Sequence, residues 1–302
     1  MAKQVQEAEE CIKKAEKYLK TSLIALKFKP DPDSAAVEYT RAGVCYRNAR
    51  KFVECADVYE KAAGCHEEAG SFFHAAKCKE QAALACRDGK DMERAKRLME
   101  EAGQQYAESG SPETSAQALD KAAQFFTGVD DDLAIHFYQK AYRIVAETDR
   151  TKQASEFLDK LTRLYCKQEK YEEAIKSLRD EISLYIEDKE TAKVGRLTVG
   201  LVILLLKAGD PVGAVKALSD SCQAPGFQTC QDAMNCQGLV DAYNEGEVDK
   251  FANILKKPDM RAIDNHFLRL TKDLGPPAAN IPAKDFSAAD GIEEEEEEMD
   301  LR

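Results

Sequence analysis

Apolar and small residues recur along the first two thirds of the chain in one repeated pattern. A small residue is followed three positions later by a large one, then by small residues at six and seven. The clear copies are Ala36-Tyr39-Ala42-Gly43, Ala56-Tyr59-Ala62-Ala63, Ala76-Lys79-Ala82-Ala83 and Ala116-Leu119-Ala122-Ala123, with weaker ones from Ala95, Ala134, Ala154 and Ala174. Offsets of three, six and seven share one helical face, and alanine lets neighbouring helices approach closely. The spacing predicts units of about 16 helical residues and a short turn. Turns are predicted at Arg50-Lys51, Ala69-Gly70-Ser71, Asp88-Gly89-Lys90, Ser109-Gly110-Ser111-Pro112, Gly128-Val129-Asp130, Gln168-Glu169-Lys170 and Gly209-Asp210-Pro211. Several offer Ser or Asp as an N-cap, and Pro112 and Pro211 suit a first helical turn. No window alternates with period two for long, so no strand is predicted.

Two units make an antiparallel hairpin of about 40 residues, longer than the 34 of a tetratricopeptide repeat. The predicted fold is all-α: a tetratricopeptide-like (TPR-like) right-handed stack of antiparallel helical hairpins with a concave face, closed by a C-terminal helical bundle. The boundaries read as 1–209 for the twisted sheet of hairpins, 210–274 for the bundle and 275–302 for a flexible linker and acidic tail. Cys222 to Thr229, with Pro225-Gly226, reads as an irregular connection, and a last helix holds His266, Phe267, Leu268 and Leu270. The apolar run Leu197–Leu206 is about half of a membrane span and reads as a buried core helix.

Charge and chemistry narrow the function. The net charge is −12, of which Asp285–Arg302 carries −8 and the rest only −4. Such a chain is a poor nucleic-acid binder. The N-terminus lacks an apolar secretory core, and the ten cysteines include no CxxC pair. Both point to reduced thiols in a cytoplasmic protein, with Cys45 and Cys65 as small apolar filler. No phosphate-binding loop is present, and the four histidines are scattered. His74 and Cys78 have metal-ligand spacing on a helix, yet no second pair completes a tetrahedral site. No metal, no cofactor and no catalysis are expected.

Two segments stand outside the repeat. Leu23, Ile24, Leu26 and Phe28 are interleaved with Lys27 and Lys29 in the connection after the first helix. They either pack under the first hairpin or form a wedge into an anionic lipid headgroup region. At the other end, six glutamates that include Glu297 and Glu298 precede Met299, Asp300 and Leu301. A charge run is ordinarily a solvated tail, but the apolar residues have no solubilising role. Within the repeat, Arg41, Lys61, Lys121 and Arg179 stand five residues into their copies, and Lys140 and Lys160 six. At one phase they would form a basic stripe along the stack, interrupted by Glu100 and Asp159; otherwise they are ordinary surface residues.

The segments AEKYLKTSLIALKFKPDPDSAAVEY (15–39) and SFFHAAKCKEQAA (71–83), with the acidic Asp-Leu-Arg end, resemble the soluble N-ethylmaleimide-sensitive-factor attachment proteins, the SNAP family, most nearly its gamma branch. The resemblance implies an adaptor in intracellular membrane fusion and vesicle transport that hydrolyses nothing. It implies a stack whose concave face binds the assembled SNARE four-helix bundle, syntaxin-type and other SNAREs included. It implies a C-terminus that recruits and stimulates the hexameric AAA+ ATPase N-ethylmaleimide-sensitive factor, with Leu301 the stimulating residue beside Met299, Asp300, Glu297 and Glu298. The loop bearing Leu23, Ile24, Leu26, Lys27, Phe28 and Lys29 would attach to membranes, placing a cytoplasmic protein peripherally on their cytosolic faces. The basic residues would face the acidic SNARE bundle. Two other classes remain open: a TPR-like co-chaperone or generic protein-protein scaffold, which would need a Lys/Asn/Arg clamp at 34-residue spacing, and an enzyme on a helical solenoid, for which no motif is present.

Overall fold

The computed structural model describes residues 2–20, 30–148 and 150–277. Among them the regular elements are helices: α1 (Ala2–Leu19), α2 (Pro32–Asn48), α3 (Phe52–Glu68), α4 (Phe72–Asp88), α5 (Met92–Glu108), α6 (Pro112–Phe126), α7 (Asp131–Ala146) and α8 (Thr151–Lys167). They continue with α9 (Tyr171–Glu187), α10 (Thr191–Lys207), α11 (Pro211–Ser221), α12 (Gln231–Glu245), α13 (Val248–Leu255), α14 (Pro258–Arg261) and α15 (Asn265–Leu270).

One turn design sets the helix length. At the end of α2 the Arg50 N–H donates to Arg47 O at 2.9 Å and the Lys51 N–H to Tyr46 O at 2.9 Å. This is a Schellman closure, which needs its middle residue in the left-handed region. The same closure recurs with Gly70, Lys90, Gly110, Glu169, Lys189 and Gly209 as the left-handed residue. The next helix starts at once. Asp91 and Asp210 accept from the N–H groups of Arg94 and Gly213, and Pro112 and Pro211 occupy first-turn positions. Ser71 and Ser111 hold the N-cap position without a side-chain cap bond.

The repeat is explained by what its large and small positions do to each other. Tyr59, the large residue of one copy, lies over Gly43, the last small residue of the copy before it; a Cβ on Gly43 would stand 2.7 Å from the Tyr59 ring. Leu119 covers Gly103 in the same way, at 2.9 Å. In both places the residue just before the repeat-opening alanine donates to the glycine carbonyl: Cys55 Sγ to Gly43 O at 3.2 Å, and Ser115 Oγ to Gly103 O at 2.6 Å. Every repeat-opening alanine from Ala36 to Ala174 is buried. The phase runs on through Val194 and Ala214, both fully buried. Lys79 fills a large slot with its aliphatic stem and reaches Glu67 at 2.8 Å and Glu101 at 2.9 Å with its ammonium.

Successive helices pack against one another, and side-chain bonds join alternate helices, giving two layers. Arg47 of α2 donates to Gln81 O of α4, while Arg94 of α5 pairs with Asp57 and Glu60 of α3. The even layer therefore runs α2, α4, α6, α8, α10 and the odd layer α3, α5, α7, α9. α10 is the apolar run of the sequence, with Leu197 partly buried and Thr198 to Leu206 all buried. It packs against α9, α11, α12 and α15. After α14 the chain turns back, and α15 lies against both α8 and α10. Phe267, 3% exposed, seats on Gly200, where a Cβ would come within 2.5 Å of its ring.

Candidate functional site

The six basic residues of the sequence reading do not share one face. Arg41, Lys121 and Lys160 belong to α2, α6 and α8 in the even layer; Lys61, Lys140 and Arg179 belong to α3, α7 and α9 in the odd layer. The reason is geometric. One repeat copy is one helix, and consecutive helices lie in opposite layers, so residues at the same phase of successive copies alternate between layers. Only every second copy returns to the same layer. The single stripe is thus corrected to two shorter sets.

Three of them, Lys121, Lys160 and Lys140, take part in a ladder of ion pairs between neighbouring hairpins within each layer. Lys121 Nζ sits 2.6 Å from Glu80 Oε1, Lys160 Nζ 2.6 Å from Asp120 Oδ1, and Lys140 Nζ 3.4 Å from Glu100 Oε1. Each partner lies about two helices back in sequence, which is the spacing of adjacent helices in one layer. Glu80 is buried and also accepts from the Tyr106 hydroxyl at 3.0 Å, so Lys121 neutralises a carboxylate that would otherwise be buried alone. Lys160 also lies over the rings of Tyr138 and Phe157, at 5.3 and 5.2 Å. Arg41 holds the buried Glu38 at 2.8 Å, and most of its side chain stays exposed. The ladder continues with Lys170–Asp132 at 2.8 Å and Arg150–Glu113, while Lys167 of α8 pairs across the layers with Asp131 of α7. The hydrogen bond from Lys167 holds the Asp131 carboxyl below its usual range. Lys61 and Arg179 are exposed.

The remaining candidates divide cleanly. Leu23, Ile24, Leu26, Lys27, Phe28 and Lys29 of the loop, and Glu297, Glu298, Met299, Asp300 and Leu301 of the tail, lie outside the described residues. Nine of the ten cysteines are buried or partly buried, and Cys222 is exposed. Burial pushes the Cys86 thiol up to about 11 and Cys166 up to about 12, so neither is a ready nucleophile. His74 and Cys78 do not work together on a metal: His74 stacks on His66 at 5.4 Å between ring centroids, and Cys78 Sγ lies 3.8 Å from Thr40 Oγ1. Among the described residues no group of three or more Cys, His, Asp or Glu has metal-binding geometry, and no helix is long and apolar enough to cross a membrane.

Sequence reasoning passed over one polar cluster, at the landing of α15. Glu181 of α9 is buried with Oε2 lacking a partner among the described residues. Burial first, then the charges of Asp159 and Asp264, push its carboxyl up to about 8. His266 of α15 is driven by burial down to about 4. The signal was spread over three helices distant in sequence, so no local pattern carried it.

The comparisons with known proteins follow the same outline. The family model described as "Soluble NSF attachment protein, SNAP" matches residues 6–269. The gamma-soluble NSF attachment protein of Arabidopsis thaliana is 26% identical over 192 residues, 63% of this chain and 65% of that protein. The Dictyostelium discoideum protein of the same name is 21% identical over 268 residues, 89% of this chain and 82% of that protein. This chain thus spans just under two thirds of the Arabidopsis relative's length. Among solved structures, BtubC (BKLC) from P. vanneervenii aligns with a TM-score of 0.39 at 14% identity, over 76% of this chain and 92% of its own. A Podosopora anserina kinesin light chain with TPR-like repeats aligns at 0.38 and 13%, over 66% and 98%. A stack of paired helices, a phase kept from Ala36 to Ala214, and a family match across nearly all of it lead to one assignment: the chain belongs to the soluble NSF attachment protein family.

Proposed function

We propose that this chain is a non-catalytic adaptor that binds the assembled SNARE four-helix bundle at a membrane and recruits the AAA+ ATPase N-ethylmaleimide-sensitive factor to take the bundle apart. The family match over residues 6–269 carries the reading and supports a role in NSF-related membrane trafficking. The even layer is the face assigned to the bundle, because Arg41, Lys121 and Lys160 stand on it together with the exposed Lys77 of α4. Leu23, Ile24, Leu26 and Phe28 enter the lipid headgroups, with Lys27 and Lys29 meeting anionic lipid. The glutamates of the tail supply long-range attraction to a basic surface of the ATPase, and Leu301 supplies register by entering a pocket.

The test is SNARE-dependent ATP hydrolysis with purified bundle and ATPase. One well-buried leucine contact is worth about 2–3 kcal/mol, roughly 30- to 150-fold in an equilibrium. Leu301→Ala is expected to leave bundle binding intact and to cut stimulated turnover by that order. Lys121→Gln/Lys160→Gln is expected to weaken bundle binding about three- to tenfold, more at low salt than high. Because Lys121 faces buried Glu80, Glu80→Gln accompanies Lys121→Gln in the test protein, so that no carboxylate is left buried alone. Unchanged turnover with Leu301→Ala, and bundle binding that the double variant leaves unchanged at low salt, would reject the reading.

A further inference from the structure

Between α2 and α4 the even layer holds an open groove of about 570 Å³. Val37 and Arg41 of α2 form one wall, His74 and Lys77 of α4 the other, and Tyr59 and His66 of α3 the floor. Among the described residues no carboxylate lines it. Val37 is 49% exposed, Lys77 is exposed, and Arg41 turns most of its side chain to solvent while one nitrogen holds Glu38. His66 Nδ1 is buried without a hydrogen-bond partner among the described residues.

The molecule itself shows what a seam between even helices accepts. At the far end of the layer, α8 and α10 are bridged by a short helix of the chain's own, α15, anchored by the Phe267 ring on Gly200. The two seams differ in the sign of a wall residue. Asp159 of α8 stands five residues after Ala154, and Arg41 of α2 stands five after Ala36, so the two are equivalent in the repeat. In the filled seam Asp159 is already paired with Arg163 of its own helix at 2.8 Å, whereas the open seam presents Lys77 and the solvent-turned part of Arg41 with no carboxylate among its described lining residues. An occupant of the open seam therefore needs the helical form and apolar anchor of α15 with acidic side chains.

We propose that the α2–α4 groove docks a short acidic amphipathic helix of a partner protein, with one apolar side chain entering between Tyr59 and His74 and carboxylates meeting Arg41 and Lys77. An assembled four-helix bundle keeps its apolar seam inside itself and cannot offer that anchor. The groove shares Arg41 and Lys77 with the layer assigned to the bundle, so the two occupants would compete there, yet its docking is argued from the groove alone and does not depend on the adaptor reading.

The chain has four histidines, two of them in the groove, so their ring resonances report on it directly. The probe is a fluorescein-labelled helical peptide of about 14 residues with one Phe and glutamates four before and three after it, on one helical face. Full-length protein is expected to bind it saturably, moving His66 and His74 and leaving His136 and His266 in place. Replacing the peptide's Phe by Ser, or Lys77→Glu in the protein, is expected to weaken binding about tenfold, and a peptide with Lys for Glu should regain affinity for the Lys77→Glu protein. Val37→Glu, at an exposed position, is the second variant and should weaken the acidic peptide in the same way. Arg41 is left untouched because it neutralises Glu38. The proposal is overturned if His66 and His74 stay still up to millimolar peptide, or if Lys77→Glu and the Ser peptide bind unchanged. It is overturned in favour of the chain's own tail if deleting residues 292–302 moves both resonances without peptide. A shift that disappears on dilution would assign the groove to a second copy, and a shift caused by the assembled bundle alone would merge it with the bundle surface.

Discussion

Gly43 under Tyr59 and Gly103 under Leu119 reduce this architecture to one contact, a large side chain resting where its neighbour has none. The alanines beside them serve the same approach. Ala122 is fully buried, and Ala122→Leu is expected to cost about 1–3 kcal/mol by overpacking, read as a lowered urea midpoint at unchanged slope. The turns work in the opposite direction. Arg50, Lys90, Glu169 and Lys189 hold the left-handed conformation with a Cβ, at φ between 56 and 64°. Glycine occupies the equivalent place in Gly70, Gly110 and Gly209 without that cost. Lys90→Gly and Lys189→Gly should each raise stability by about 1 kcal/mol. A loss of stability in both would show that their side chains contribute more than the strain they carry.

At the scale of the element, α15 decides how the end of the stack responds to pH. Glu181 faces Asp159 and Arg163 of α8, Lys193 at the start of α10, and Asp264 before α15. Its carboxyl ordinarily ionises near 4.5 and is raised to about 8 in the folded chain. The sign follows: its contribution to stability is full below pH 4.5 and is lost as pH rises through about 8. His266 runs the other way. Lowered from 6.5 to about 4, it contributes fully above pH 6.5 and loses that contribution as pH falls through about 4. Chemical denaturation from pH 4 to 8.5 is expected to show both limbs, with Glu181→Gln flattening the alkaline one and leaving the acid one. An alkaline limb that survives Glu181→Gln would remove this carboxyl from the account. The helix boundaries behind this were legible in the sequence, because caps, prolines and the Gly-containing turns are local signals. His266, Phe267 and Leu270 were legible as a last helix, but its landing on α8 and α10 was not: Phe267 and Gly200 meet across 67 residues, and nothing in either neighbourhood names the other.

Across the whole molecule, the same limit separates what was legible of the candidate site from what was not. Lys121, Lys140 and Lys160 were visible as basic residues in register, yet their partners Glu80, Glu100 and Asp120 belong to the helix two back, and the layer each occupies depends on counting helices. The α2–α4 groove was invisible for a related reason, since its walls come from residues some 40 apart that share no pattern of their own. Spacing within a helix is a local property; spacing between layers belongs to the assembled stack. This alternation has a consequence for how such a chain can grow or be edited. Inserting or removing one helix of about 20 residues inverts every later helix, turning outward-facing sets to the opposite side and setting Lys against the wrong row of carboxylates. Inserting two leaves each residue on its own side, with only the distance between the ends changed. The hairpin, and not the repeat that the eye finds first, is the unit of inheritance: duplications in whole hairpins lengthen the scaffold, while odd ones reverse its handed arrangement of faces.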